Sequence, residues 1–277
     1  MTSLLLEPFF QRSLLIGVLA CIACGVMGAF VVVKRMTYVA GSISHATFGG
    51  IGLAFFLGWS PTVGALVVSL AAAVILALFR YYFNQREDAL VSALWAVGMA
   101  VGILLVYLSK GYVPDLFGYL FGNILIVGTS DVLALFGICV VVCVLVTLLF
   151  RAFQAISFDE TFANAINLPV GPLYALLLCL VAATIVLLIR VVGVIMVVAL
   201  LTLPSSAAAV WANRLSTLIG MSIGFGLFAV IVGLFSSYFL NVPPGPIIIL
   251  FALGVYLLAL LFKSIRDKRA AKCLKRA

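Results

Sequence analysis

Apolar residues gather into nine long runs, each close to the length a helix needs to cross a bilayer, with short polar or glycine-containing breaks between them. The runs fall near residues 13–33, 37–57, 61–80, 89–109, 131–150, 171–190, 193–212, 216–239 and 246–262. They lack the apolar–polar alternation of barrel strands. Because lipid offers no partner to a free backbone N–H or C=O, helices are the remaining way to span. The pattern predicts an all-α, polytopic membrane bundle of eight or nine spanning helices. No Pro/Ser-rich linker or low-complexity tract divides it, so residues 1–277 read as one domain.

Composition agrees: 66% of the 277 residues are hydrophobic and 9% are charged, against roughly a quarter charged in an ordinary soluble domain. The mean hydropathy is +1.37. The first run outlasts a signal-peptide core and no small-residue cleavage site closes it, so it is expected to be a retained helix. The six cysteines lie almost wholly inside apolar runs, where Cys acts as a small hydrophobe, and no disulfide framework follows. Cys21 and Cys24 form a C-x-x-C, for which a redox or metal-binding role is the lesser reading.

The formal net charge of +8 would suit nucleic acid, but the positions of the basic residues point to topology instead. Thirteen of the 16 Lys and Arg residues fall on one side of the expected spans. They are Lys34, Arg35, Arg80, Arg86, Arg151 and Arg214, and then the tail from Lys263 onward. Only Arg12, Lys110 and Arg190 fall on the other. The expected placement is a bacterial-type cytoplasmic (inner) membrane, crossed many times, with the N-terminus outside and the C-terminus inside. The basic tail 263–277 then faces anionic lipid, and no nucleic-acid partner is expected.

Two interruptions are long. Residues 110–130 carry Pro114, Asp115 and a Gly118-x-x-x-Gly122 pair, and predict an outer loop or a short inserted helix. Residues 151–172 contain Ser157-Phe158-Asp159-Glu160-Thr161-Phe162-Ala163 and predict a short cytoplasmic helix, with Ser157 able to serve as its N-cap and the acids favouring its N-terminus. Small residues four apart, at Gly98/Gly102 and Gly220/Gly224, predict close helix packing. Gly28, Val32, Val33 and Thr37 share their spacing with Gly193, Val197, Val198 and Thr202, a faint internal echo.

Few residues could carry chemistry. His45, the only histidine, lies inside the second run in Gly41-Ser42-Ile43-Ser44-His45. An ionisable group at membrane depth is a functional candidate by default, and Ser42, His45 and Gly49 share one helical face. Imidazole suits Zn, Cu, Fe and Ni, while harder oxygen ligands suit Mn. A histidine hydrogen-bonded to a neighbouring helix is the competing reading. Pro204 breaks the run 191–210 near its middle, as broken helices do at transport sites and as ordinary kinks also do. Thr202, Ser205 and Ser206 could satisfy the freed backbone groups or line a path. The chain has no phosphate-binding G-x-x-x-x-G-K-[ST] and no set of residues resembling a catalytic centre. No expected span has a carboxylate in its interior, which argues against proton or sodium coupling.

In combination, these motifs resemble the permease family of zinc, manganese and iron(II) ABC importers. The resemblance rests on Arg35-Met36 through Ser44-His45-Ala46 and Gly49-Gly50, on Ser157-Phe158-Asp159-Glu160-x-Phe162-Ala163, on Val192-Gly193-Val194 through Leu203-Pro204-Ser205, and on Gly233-Leu234-Phe235-Ser236 with Pro244-Gly245-Pro246. It implies a non-catalytic transport subunit that pairs with a second copy of itself, with two ATPase subunits and with an extracytoplasmic metal-binding protein. It implies no permanently bound cofactor, a divalent metal ion as cargo, and alternating access as the mechanism. Residues 157–168 would be the coupling helix, with Ser157, Phe158, Asp159, Glu160 and Phe162 at the ATPase and the two acids able to pair with it. His45 would line the path with Ser42, Thr202 and Ser205, beside the helix break at Pro204. Family members often carry a carboxylate four residues before this histidine, where this chain has Gly41. An iron chelate or haem as cargo, an ATP-independent channel or carrier, and a membrane scaffold stay open.

Overall fold

A computed structural model gives the fold and describes residues 7–83, 88–109, 118, 122 and 128–274. Among them there are eleven helices and no strand. In chain order these are α1 (Pro8–Val33), α2 (Thr37–Leu57), α3 (Pro61–Phe83), α4 (Asp88–Leu108), α5 (Thr129–Leu148), α6 (Phe150–Phe158), α7 (Glu160–Ala165), α8 (Val170–Val192), α9 (Val194–Ala209), α10 (Leu215–Leu240) and α11 (Pro244–Leu274). Most of the expected loop at residues 110–130, including Lys110, Pro114 and Asp115, lies outside the described residues.

Eight helices are long and apolar enough to cross a membrane: α1 to α5, α8, α10 and α11. The expected ninth span is α9, which has only 16 residues. At 1.5 Å per residue it covers about 24 Å, short of a hydrocarbon core of roughly 30 Å. Gly193 causes the shortening. Its backbone (φ 85°, ψ 157°) ends α8 and opens α9, so the chain reverses there. The expected break at Pro204 does not occur, because α9 runs through it. Nor is the echo between Gly28 and Gly193 structural, since Gly28 lies mid-helix and Gly193 lies at a reversal. At the other extreme, the 31 residues of α11 carry the basic tail on as a continuous helix to Leu274.

The reversals have local causes. Gly58 and Asn241 close α2 and α10 in the left-handed region, and Pro61 and Pro244 open the helices that follow. The helices form two linked groups. In one, α2 packs between α3 and α4, and α3 also packs on α8; in the other, α1 packs with α9 and α10, and α11 covers them. Helix α5 closes on α1 and α8. The first group packs through glycine. Gly50 and Gly64 set α2 against α3 so closely that a Cβ on either would overlap the other's carbonyl oxygen, and Gly49 and Gly52 lie against the carbonyls of Gly98 and Gly102 on α4. The expected Gly98/Gly102 packing is therefore present. Gly220 and Gly224 meet nothing within 4 Å.

Ion pairs mark both ends. At one end Arg190 of α8 contacts Asp131 of α5 at 3.2 Å and Thr62 of α3 at 3.4 Å. The opposite, basic end holds Lys34, Arg80, the connection 210–214 and the charged turns of α11, where Arg266 lies 4.7 Å over Trp211.

Candidate functional site

Two places collect the expected functional residues: the middle of α2 and the basic end around α7. On α2, His45 is partly buried and its Nδ1 is buried with no hydrogen-bond partner among the described residues. Its ring stacks on Trp95 of α4, with centroids 4.5 Å apart and planes 22° from parallel. Trp95 reaches over because Gly41, one turn before His45, has no side chain. A Cβ there would come within 2.5 Å of the indole. So the position where a second ligand on the same face would stand is filled by an aromatic ring. Trp95 also lines a cleft of about 430 Å³ with Tyr38, Val91, Ser92 and Ala96.

The hydroxyls expected near His45 are engaged elsewhere. Ser42 donates to Val39 O at 2.9 Å, and Thr202 to Val198 O at 2.8 Å. Ser205 shares a 2.6 Å hydrogen bond with Ser222 of α10 and lies against Gly28 of α1. The bonds of Ser42 and Thr202 stay within their own helices, whereas the contacts of Ser205 join α9 to α10 and α1 in the other helix group. Pro204 is buried in the same packing. Among the described residues no group of three or more His, Cys, Asp or Glu side chains could hold a metal ion. Cys21 and Cys24 are free, buried thiols inside α1.

At the basic end the chain differs from expectation in how it builds the short helix. Ser157 is not an N-cap: it lies in the last turn of α6, buried, with its Oγ unpartnered. The apolar face of α6, with Phe153 and Ile156 in the core and Phe153 against Phe30 at 5.8 Å, keeps the chain helical through Phe158. The break comes at Asp159, whose backbone is extended and whose Oδ1 accepts from the N–H groups of Thr161 and Phe162 at 2.9 and 3.0 Å. Within the expected segment 157–168, Ser157 and Phe158 thus end α6, and the separate short helix is the six residues of α7.

Glu160, expected at a partner's surface, pairs within its own chain. Its Oε1 accepts from Lys34 Nζ and, at 2.8 Å, from Arg80 Nη2. Lys34 also donates to Ile156 O at 2.6 Å, and its side chain is only 6% exposed. Both cations lie over the Tyr174 ring, at 5.2 and 4.6 Å from its centroid. Burial alone would push the Glu160 carboxyl up, but the hydrogen bonds and charges of Lys34 and Arg80 prevail and hold it below its usual range. Around α7 three large apolar side chains are exposed, Phe158 at the end of α6, Phe162 of α7 and its C-cap Ile166 at 63%, 56% and 50%, beside the exposed polar Thr161 and Asn164. Sequence reasoning missed Lys34, Arg80, Tyr174 and Trp95 as members of these sites. The only signal for the first two was their position at span ends, and the aromatic pair carried none.

The chain can be placed among known proteins. It is 38% identical to an uncharacterized membrane protein of Synechocystis over 95% of this chain and 94% of that one. It is 32% identical to the manganese transport system membrane protein MntC of Listeria monocytogenes, over 92% and 90%. Its fold matches a chain in the structure of PsaBC from Streptococcus pneumoniae in complex with Fab, with a TM-score of 0.83, 32% identity and 93% of both chains covered. The model of the ABC 3 transport family matches residues 7–263, and the chain belongs to that family of multi-pass membrane transport proteins.

Proposed function

We propose that this chain is the permease subunit of an ATP-driven importer for a divalent transition-metal ion, and that His45 contacts the ion on its way through. The observation that carries this reading is the imidazole itself: the chain's only histidine, held by a stacked ring inside a spanning helix, with a buried Nδ1 that has no hydrogen-bond partner among the described residues. Ser42 shares its helix face, and Thr202 and Ser205 on α9 complete the proposed lining. Of these, His45 alone has an uncommitted polar atom. The manganese in a relative's name supports a transition metal as cargo. Weak, single-site contacts suit conduction, since an ion must leave as readily as it enters.

ATP hydrolysis belongs to a separate subunit. Helix α7, with Phe158, Phe162 and Ile166 facing out, is the seat for that ATPase in two copies, one beneath each half of a permease dimer, and an extracytoplasmic metal-binding protein delivers the ion. The proposed orientation in the inner membrane puts α7 and the basic end inside, the N-terminus outside and the C-terminus inside, in keeping with the distribution of Lys and Arg. ATP-driven approach of the two α7 seats would close one end of the dimer path and open the other.

The test is accumulation of zinc, manganese and iron(II) in cells expressing this chain with its ATPase, for wild type and His45→Ala. Uptake of one metal that is lost in the variant, with the complex still assembled, is the expected result. Absence of uptake of every metal by an assembled wild-type complex would overturn the cargo. Uptake untouched by the substitution would remove His45 from the path.

A further inference from the structure

We propose that Glu160 is the positioning residue that ties α7 to the spanning bundle, so that movement of the ATPase seat reaches the helix bearing His45. The proposal rests on the reading of α7 as that seat. It is argued from what one carboxylate holds. Lys34 is the residue that ends α1, Arg80 lies in the last turn of α3, and Tyr174 lies near the start of α8. All three converge on Glu160 or on the cations that bind it: Lys34 and Arg80 directly, and Tyr174 with its ring beneath both cations and its hydroxyl 3.4 Å from Arg80 Nη1. Two spanning helices thus pair with one side chain of a six-residue helix, and a third, α8, backs both cations through Tyr174.

The opposite face of α7 is left free for docking, since the exposed Phe158, Phe162 and Ile166 make no part of this cluster. Docking and anchoring are therefore done by different residues of the short stretch 158–166. From Arg80 the connection continues along α3. Its Gly64 lies backbone to backbone against Gly50 of α2, five residues beyond His45. Helices in such close contact do not slide independently, because no side chain cushions them, and packed rigid elements are how a displacement is carried between distant sites. Lys34 adds a reason for the link to be stiff. A nearly buried ammonium that lost the Glu160 carboxylate would give up a charged partner without regaining full hydration, so the ion pair resists opening.

The experiment uses the full complex in vesicles, with Mn(II) and Zn(II) as probes, and measures ATPase association, ATP hydrolysis and metal taken up per ATP hydrolysed. In Glu160→Gln the expected result is retained association and hydrolysis, with uptake per ATP reduced on the order of tenfold. Glu160→Asp, which keeps the charge, recovers part of the loss. The double variant Lys34→Met with Glu160→Met removes the buried ammonium together with its carboxylate partner, protecting the fold, and is expected to be uncoupled as well. A complex that binds ATPase and transports normally per ATP in both the Gln and the double variant would overturn the proposal while leaving the docking role intact. Failure of the wild-type chain to bind the ATPase, or binding unaffected by loss of Phe158, Phe162 and Ile166, would overturn the docking reading and this proposal with it.

Discussion

At the residue scale, Gly41, His45 and Trp95 act as one unit. The indole occupies the space a Gly41 side chain would take, and it stacks on the imidazole one turn away. Gly41→Ala should therefore displace Trp95 and impair uptake, whereas Gly41→Ala with Trp95→Ala should be less impaired than the two single losses predict. A double-mutant cycle on uptake measures this, and neighbours in contact usually couple by about 0.5–3 kcal/mol. Additive losses would mean that the ring and the glycine act separately. Glu160 supplies a second prediction at this scale. Its carboxyl ionises below its ordinary range because Lys34 and Arg80 outweigh its burial. A group with a lowered native pKa adds stability above its unfolded value, about 4.3 for Glu, and loses it as pH falls through the native value. Thermal unfolding in detergent should thus show wild type and Glu160→Gln separated at neutral pH and converging in acid; a separation that grows in acid would refute the ion pair. His45 was legible in the sequence because a lone histidine in an apolar run stands out. Trp95 was not, since an aromatic in a spanning helix looks the same whether it faces lipid or an imidazole fifty residues away.

Elements were read correctly where a single local cause decides them and misread where packing decides. The apolar runs gave the interior spanning helices to within about three residues, but α1 starts five residues before the expected run and α11 continues twelve beyond it. Ser157 misled because it precedes two acids, as caps do. Only the burial of Phe153 and Ile156 shows that α6 continues past it and that Asp159 takes the cap. Pro204 misled in the opposite sense, since a buried proline inside a well-packed helix does not stop it when neighbouring helices hold the turn. The two glycine pairs looked alike in sequence, yet one is a seam and the other faces open space. The consequence is measurable. Gly50→Ala or Gly102→Ala should destabilise the chain by about 1–3 kcal/mol through overpacking, seen as a lowered Tm, while Gly220→Ala and Gly224→Ala leave the isolated chain's Tm unchanged. Equal effects at all four positions would contradict the α2-centred packing.

For the whole molecule, the two ends of the bundle carry different work, and orientation decides whether that division makes sense. Arg190, Asp131 and Thr62 join α8, α5 and α3 at one end, and Lys34, Arg80, Tyr174 and Glu160 join α1, α3, α8 and α7 at the other. An ATPase has its nucleotide only in the cytoplasm, so the second end must lie inside if α7 is its seat. The excess of basic residues at that end points the same way. Reporter fusions test it: alkaline phosphatase joined after residue 58 or 108 should be active, and joined after residue 83 or at residue 274 it should be silent, with a fluorescent reporter showing the reverse. The α8–α9 reversal at Gly193 adds a further check, because a fusion after residue 212 should be silent only if the short α9 returns the chain to the inside. Activity at residues 83 and 274 would place α7 and its three exposed apolar residues outside the cell, away from ATP. In that case the docking surface and the coupling through Glu160 would both fail, while membership of the transport family and the stack on His45 would stand.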